Sequence, residues 1–259
     1  MEYMPEGCLV GCSHKTVRNK VSIHKARGKA LGKEVIMSDH FSCTSCGVFH
    51  CASQNSKYPS QCLTTKEENE EFLEESLDIY NHDSEIHKIA IAAAQVEGQY
   101  YGQLTRVEEI IVFAKKIQAK KIGIASCMGL IGESKIFEKV LKANGFETYG
   151  VICKVGAADK SALGVNEEDK IRPGNHESAC NPILQAKLLN HEQTDLNVIC
   201  GLCVGHDTIF MKHSDAPVTY LVVKDRVLAH NPVGALYTNG SYYKRILQGV
   251  NLLGEDKEL

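Results

Sequence analysis

From Lys121 onward the apolar positions come in short solid runs rather than in alternation. Lys121–Ser126, Phe146–Ile152, Leu196–Cys200 and Val218–Val223 are each a brief, β-branched stretch bounded by polar or glycine residues. Runs of this kind are strands buried on both faces, which is how parallel sheets read. Between them the period lengthens to that of a helix. One helix is expected from about Gly132 to Ala143, stopped by Asn144-Gly145 as a left-handed C-terminal cap. Another is opened by Cys180-Asn-Pro, with Pro182 in its first turn, and runs through about Asn190. A last helical region begins at Asn231-Pro232 and extends past Tyr243 to Leu253. The rhythm predicts a four-stranded parallel doubly wound sheet with helices on both faces over residues 121–259. A charged excursion, Gly156 to Glu177, interrupts it before the third strand.

Residues 64–120 read as helical throughout. Thr64 or Thr65 caps a first helix with an acidic first turn (Glu67, Glu68) and an apolar face of Phe72, Leu73, Leu77 and Tyr80. A second runs from Asp83 or Ser84 to Tyr100 with Ile86, Ile89, Ala90, Ala93 and Val96 inward. Thr105-x-x-Glu108 is a capping box for a third, lined by Val107, Ile110, Ile111, Ala114 and Ile117. Residues 37–63 have few large apolar side chains and many cysteines. Residues 1–36 hold seven Lys/Arg against three Glu with no lasting periodicity, the pattern of a flexible basic arm. Within it, Cys8-x3-Cys12-x-His14 has nothing nearby to complete a four-ligand set.

Composition narrows the function. A net charge of −3 over 259 residues gives no electrostatic reason to bind nucleic acid or an anionic membrane. No apolar run is long enough to span a bilayer, and the start lacks the apolar core of a secretory signal, so a cytoplasmic protein is expected. Eleven cysteines are many for that reducing compartment, and the odd count does not read as a disulfide framework. Metal ligation or redox chemistry is the remaining common use for so many thiols.

Two cysteine groups stand out. Cys43-x2-Cys46-x4-Cys51-x10-Cys62, with His40 and His50 nearby, has the spacing of a closed four-thiolate knuckle. Zinc or an iron–sulfur cluster there would contribute on the order of 10 kcal/mol to folding a segment with little core of its own. The second group is Cys127 and Cys153 directly after strands, Cys203 beyond the third strand, and Cys180 at a helix N-terminus. In an open parallel sheet all four positions belong to the carboxyl edge, where ligands bind. Single cysteines from separated loops suit a bulky cluster better than zinc, which usually recruits closely spaced pairs, so a [4Fe–4S] cluster is expected at this rim. Cys200 belongs to the apolar run of its strand and reads as core. Gly129, Gly132, Gly201 and Gly205 would let backbone approach a cluster or ligand. His176, Glu177, His206 and Asp207 are the acid/base candidates nearest in sequence, each equally suited to a loop or cap role. Arg106 reads as surface charge, and there is neither a Walker sequence nor a G-x-G-x-x-G. The partners expected are a small-molecule substrate or a redox partner. A metal carrier, a thiol or metal sensor, and a purely structural zinc protein are the competing functions.

From about Met37 to Tyr243 the sequence resembles a prokaryotic family described as metal-binding, the domain of unknown function "eighteen forty-seven". The likeness rests on Cys43-Thr-Ser-Cys46, Gly123-Ile-Ala-Ser-Cys127, Asn181-Pro-Ile-Leu-Gln-Ala-Lys-Leu-Leu-Asn190, Gly201-Leu-Cys-Val-Gly-His-Asp207 and Val223-Lys-Asp-Arg-Val-Leu-Ala-His-Asn-Pro232. The arm before Met37 departs from the family pattern. What the resemblance implies is metal binding through the cysteines, with no assigned reaction.

Overall fold

The four apolar runs form the sheet their composition predicts. In the computed structural model, which describes residues 42–53 and 57–247, the strands are β1 (Lys121–Ser126), β2 (Glu147–Ile152), β3 (Leu196–Cys200) and β4 (Val218–Val222). All pairings are parallel and the spatial order is β2-β1-β3-β4. The chain divides into two compact units, Met1–Asn69 and Glu70–Leu259. The basic arm, with Cys8, Cys12 and His14, and also His40, lies outside the described residues. So does the expected end of the last helix at Leu253.

The strand period places alternate residues on opposite faces, and each face has its own core. Ile122, Ile124, Leu196, Val198 and Cys200 pack with Phe137 and Leu141 of α4 (Ile131–Ala143) and with Ile110, Ile111 and Ala114 of α3 (Arg106–Lys116). Ala125, Val151 and Ile199 pack on the other face with Ala186 and Leu189 of α5 (Pro182–His191) and Phe210 of α6 (His206–His213). Each fully buried Ile, Leu or Phe contributes roughly 1.5–3 kcal/mol relative to exposure. The sheet is thus doubly wound, with helices on both faces. At its centre Gly123 is required by shape: a Cβ there would stand 2.0 Å from Asn197 Oδ1, which is fully buried in β3.

Helix signals held where a cap was explicit. Asp83 caps α2 (Ser84–Tyr100) through the N–H groups of Glu85 and Ile86, and Thr105 with Glu108 forms the complete capping box of α3. Asn181 caps α5 by accepting from Leu184 N–H, with Pro182 behind it. The first helix begins later than Thr64 or Thr65, because Lys66 is extended (ψ 123) and separates two 3-10 turns, Leu63–Thr65 and Glu67–Asn69. In the second unit α1 covers Glu70–His82 and buries none of its residues. Phe72, Leu73, Leu77 and Tyr80 share a face, as the period requires, yet each is at least half exposed. In α2 the inward stripe is Ile89, Ala92 and Val96, so Ile86 and Ala93 are not core positions. Ala93 instead lines a half-open apolar cleft of about 460 Å³ beside the edge strand β4. Arg106 is not idle surface charge: its Nε donates to Tyr220 O at 3.0 Å and its Nη2 to Thr219 Oγ1 at 2.7 Å, covering the open edge of β4. The last helical region is short, α7 (Val233–Tyr237), followed by turns and a 3-10 turn at Lys244–Leu247. Among the described residues no helix is long and apolar enough to cross a membrane.

The excursion from Gly156 to Glu177 has few apolar groups and is held by ions instead. Lys170, its side chain only 3% exposed, pairs with Asp159 at 2.8 Å and Glu167 at 2.5 Å. Glu177 pairs with Lys160 at 2.5 Å, and Lys160 N–H donates to Glu177 O. The Lys170 bond, with N–H donation from Ser161 and Glu177, holds the Asp159 carboxyl far below its usual range, and Lys170 likewise lowers Glu167. A carboxyl depressed in the folded state stabilises it above the unfolded value, and that contribution is lost as pH falls. The melting temperature is therefore expected to decline below roughly pH 4–5. Lys170→Met should lower it at neutral pH and flatten the acid decline. An acid limb identical to that of the wild type in a calorimetric pH series would refute the role of this network.

Candidate thiol site at the carboxyl edge of the sheet

The topology creates a switch point between β1 and β3. The chain leaves β1 toward β2 on one side and returns to β3 on the other, so the loops after β1 and β3 diverge. The ladder runs one residue beyond each strand and fixes where the thiols emerge. Cys127 N–H donates to Cys200 O at 3.0 Å, Cys153 N–H to Ser126 O at 2.8 Å, and Gly201 N–H to Val222 O at 2.8 Å. Asn181 N–H donates to Cys153 O at 2.8 Å and brings the start of α5 to the same edge. Gln185 of α5, fully buried, completes the frame: its Nε2 donates to Ser126 O at 3.2 Å and Val151 O at 2.7 Å.

Cys127, Cys153, Cys180 and Cys203 accordingly all stand at this edge, the first two buried and the others half-buried. Cys153 and Cys180 are neighbours, both packed into the apolar cluster on the second face of the sheet. The neighbouring Cys153 thiol, with the Lys154 ammonium and His206, holds the Cys180 thiol below its usual value, while Cys180 and burial push Cys153 up. Met128 N–H also donates to Cys153 Sγ at 3.3 Å. Cys203 has a different partner, the Arg226 guanidinium, whose Nη2 donates to its sulfur at 2.9 Å. Cys203 first, and then Cys127 and Cys180, raise the Arg226 pKa, so the guanidinium feels three of the four sulfurs. Lys224 crosses from the loop after β4. A Cβ built on Gly129 would lie 3.3 Å from Lys224 Nζ and 4.0 Å from Cys127 Sγ. Three cations therefore line an edge that carries four thiols.

Cys200 points away from this site. It is fully buried in the core shared with α3 and α4, on the face opposite Ala125 and Ile199. Burial pushes its thiol up, against a hydrogen bond with Ser134. Of the glycines, Gly129 lies at the rim beside Cys127 and Lys224. Gly201 adopts φ +70 and makes room for Leu130, whose Cδ1 would lie 2.0 Å from an added Cβ, while Gly132 and Gly205 face open space. Of the acid/base candidates, His206 lies by Cys180, and its Nδ1 is buried with no protein partner. Asp207 accepts from Tyr220 Oη at 3.0 Å. His176 bonds Asp159 and Ser178, and Glu177 bonds Lys160, so both belong to the ionic lattice of the excursion.

In the first unit, Cys43–Ser45 makes a 3-10 turn closed by Cys46 N–H to Cys43 O at 3.1 Å. The N–H groups of Val48 and then Phe49 lower the Cys46 pKa. Cys43 and Cys51 are exposed and Cys46 and Cys62 half-buried, all as free thiols. Among the described residues no three His, Cys, Asp or Glu side chains are already gathered about one point that could hold a metal ion. At the rim the soft thiol donors and surrounding cations fit a negatively charged thiolate centre.

A parallel α/β sheet with four cysteines at its switch-point edge defines the class of this protein. The chain belongs to the family described as "Protein of unknown function (DUF1847)", which matches residues 62–221 and so takes in all four rim cysteines and the whole sheet up to β4. It is also similar to an uncharacterized protein of Methanocaldococcus jannaschii, 46% identical over 199 residues that span 77% of this chain and 98% of the relative.

Proposed function

We propose that this is a metal-binding protein whose rim thiols, Cys127, Cys153, Cys180 and Cys203, ligate an iron–sulfur cluster of the [4Fe–4S] type used in redox chemistry, with Lewis-acid chemistry open to it only where one iron is left without a thiolate. What carries the reading is the set of single cysteines from four separate loops on one sheet edge among Lys154, Lys224 and Arg226. A cluster on four thiolates is an anion, and three cations offset its charge where solvent is partly excluded. The knuckle thiols Cys43, Cys46, Cys51 and Cys62 would bind zinc or a second cluster. All nine described cysteines are free, which suits the reducing cytoplasm. His206 is the acid/base residue of choice toward a small substrate at the rim, and a redox partner would approach the same edge.

One observation favours a second reading, a metal carrier or sensor. The rim thiols are not gathered about one point, and Cys203 is held by Arg226, so metal would be exchanged more readily than at a closed site. A purely structural zinc role has less support, since a packed core on both sheet faces needs no staple.

Anaerobic purification with iron, sulfide and zinc analysis and a visible spectrum tests the assignment. The expected result is iron with matching sulfide and broad visible absorbance. Zinc alone would overturn the cluster, and a metal-free chain would overturn metal binding altogether. Cys203→Ser is expected to remove rim metal and leave the knuckle loaded, whereas equal loss from both would show that the partition into two sites is wrong.

A further inference from the structure

We propose that the half-open cleft between α2, α3 and the edge strand β4 binds a small uncharged ring molecule through an amide or amidine edge, the hydrogen-bonding face of lactams and nucleobases. The cleft lies at the amino ends of β3 and β4, where Leu196 and Pro217 line it, and so at the end of the sheet opposite the thiol rim. Its volume of about 460 Å³ falls among clefts that hold small molecules, about 300–1,000 Å³. Ile89, Ala93 and Val96 of α2 and Ile110 and Phe113 of α3 give it apolar walls, all within the unit Glu70–Leu259. A ring that slides between them gains from every apolar face it removes from water.

The main chain of Val218 gives the cleft its preference. Asn197 N–H donates to Pro217 O at 2.8 Å, and Val218 stands opposite Asn197 in the parallel ladder. In such a ladder alternate residues turn N–H and C=O to the same side. Pro217 therefore serves β3, while Val218, which lines the cleft, presents both groups to the open edge. Tyr220 keeps the alternation, its carbonyl turned outward to Arg106 Nε at 3.0 Å. An N–H and a C=O on one residue pair with a cis donor–acceptor edge, which a ring amide or amidine has and a trans peptide bond lacks. An added peptide strand is disfavoured for a second reason, since the Arg106 guanidinium closes the next rung at Thr219 and Tyr220. A purely apolar occupant would leave both Val218 groups desolvated without partners. Charge narrows the class further. Glu97 and Glu109 line the cleft, whereas Arg106 has Nε and Nη2 committed to β4 and Nη1 3.9 Å from Glu109. Two carboxylates against one engaged cation repel a phosphate, so a free base fits and its nucleotide does not.

The test uses full-length protein and the bicyclic lactam quinazolinone as probe, with binding followed by titration calorimetry and ligand-observed saturation-transfer spectra. The expected result is saturable binding, weakened about tenfold or more in the N-methyl derivative, which keeps the ring and the carbonyl but has lost the donor. Hypoxanthine should bind as well, and inosine monophosphate, the same base carrying a phosphate, about tenfold or more weakly. Ala93→Phe should abolish binding by filling the cleft. Ala93 is exposed on α2, so an unchanged melting temperature separates a lost ligand from a lost fold. Glu97→Lys gives an independent reading: it should raise the affinity for inosine monophosphate toward that for hypoxanthine and leave quinazolinone binding unchanged. No saturable binding to the wild type, or binding retained in a folded Ala93→Phe variant, overturns the site. Equal affinity for quinazolinone, its N-methyl derivative and naphthalene would overturn the part given to Val218. A nucleotide bound as tightly as its base would overturn the charge argument. Rim metal enters none of these outcomes.

Discussion

Gln185→Leu is expected to lower the melting temperature by about 2–8 °C and to loosen the rim thiols together. The side chain is fully buried, and its Nε2 bonds two strand-end carbonyls, Ser126 O and Val151 O. Those carbonyls stand directly before Cys127 and two residues before Cys153, so one amide fixes the exits of β1 and β2. Ser126 O keeps its ladder bond from Cys153 N–H, so the variant loses an additional donor rather than the last one, at about 0.5–1.5 kcal/mol for each hydrogen bond removed. Part of this is offset, because Gln185 Oε1 is itself buried without a protein partner and leucine removes that penalty. A net loss of about 1–2 kcal/mol follows, at about 2–4 °C per kcal/mol for a chain of this size. Calorimetry of the variant measures the first effect, and metal retention after gel filtration the second. A variant as stable and as metal-retentive as the wild type would show that Gln185 merely fills space.

The sheet was legible because its signals are local. Each strand is a continuous apolar run, and each explicit cap (Asp83, Thr105 with Glu108, Asn181) names its own helix start. Less legible was α6, which follows the third strand after a short loop and buries only Phe210, too little apolar periodicity to mark a helix. The face of α1 illustrates a different limit. Periodicity tells which side of a helix is apolar, but not whether anything covers it, and Phe72, Leu73, Leu77 and Tyr80 are exposed. Arg106 escaped for the opposite reason: its partners Thr219 and Tyr220 lie more than a hundred residues away, and no local pattern announces a strap over a sheet edge.

At the candidate site the cysteines could be placed by topology alone, since residues just after parallel strands must reach the same edge. The cations could not. Lys224 and Arg226 sit in an irregular loop after β4, and only the rule that this loop returns to the same edge would have pointed to them. Lys154 follows Cys153 directly and was available to the same reasoning. Gln185 looked like an ordinary polar helix position, because the need for a buried donor arises only once two strand ends are set side by side. His176 and Glu177 were near the thiols in sequence and yet serve the excursion, where the buried Lys170 network claims them.

The opposite orientations of Cys153 and Cys200 give the strongest contrast a single-atom change can supply. Cys153→Ser should abolish rim metal, because a hydroxyl is a poor replacement for a soft thiolate ligand and the remaining donors come from separate loops. The stabilisation that bound metal adds to the folded state should go with it, lowering the melting temperature of the loaded protein toward that of the stripped one. Cys200→Ser should leave rim metal intact while costing roughly 1–3 kcal/mol, the penalty for a hydroxyl in an apolar site. The hydrogen bond available from Ser134 keeps that cost toward the lower end. Iron and sulfide content read the first effect and calorimetry of the stripped proteins the second, so the two losses are measured independently. Equal metal loss from both variants would mean that Cys200 turns through the sheet edge to ligate. The two-faced core argues against that, because the alternation that buries Val198 beside Cys200 also sends Ile199 to the side where the rim thiols gather.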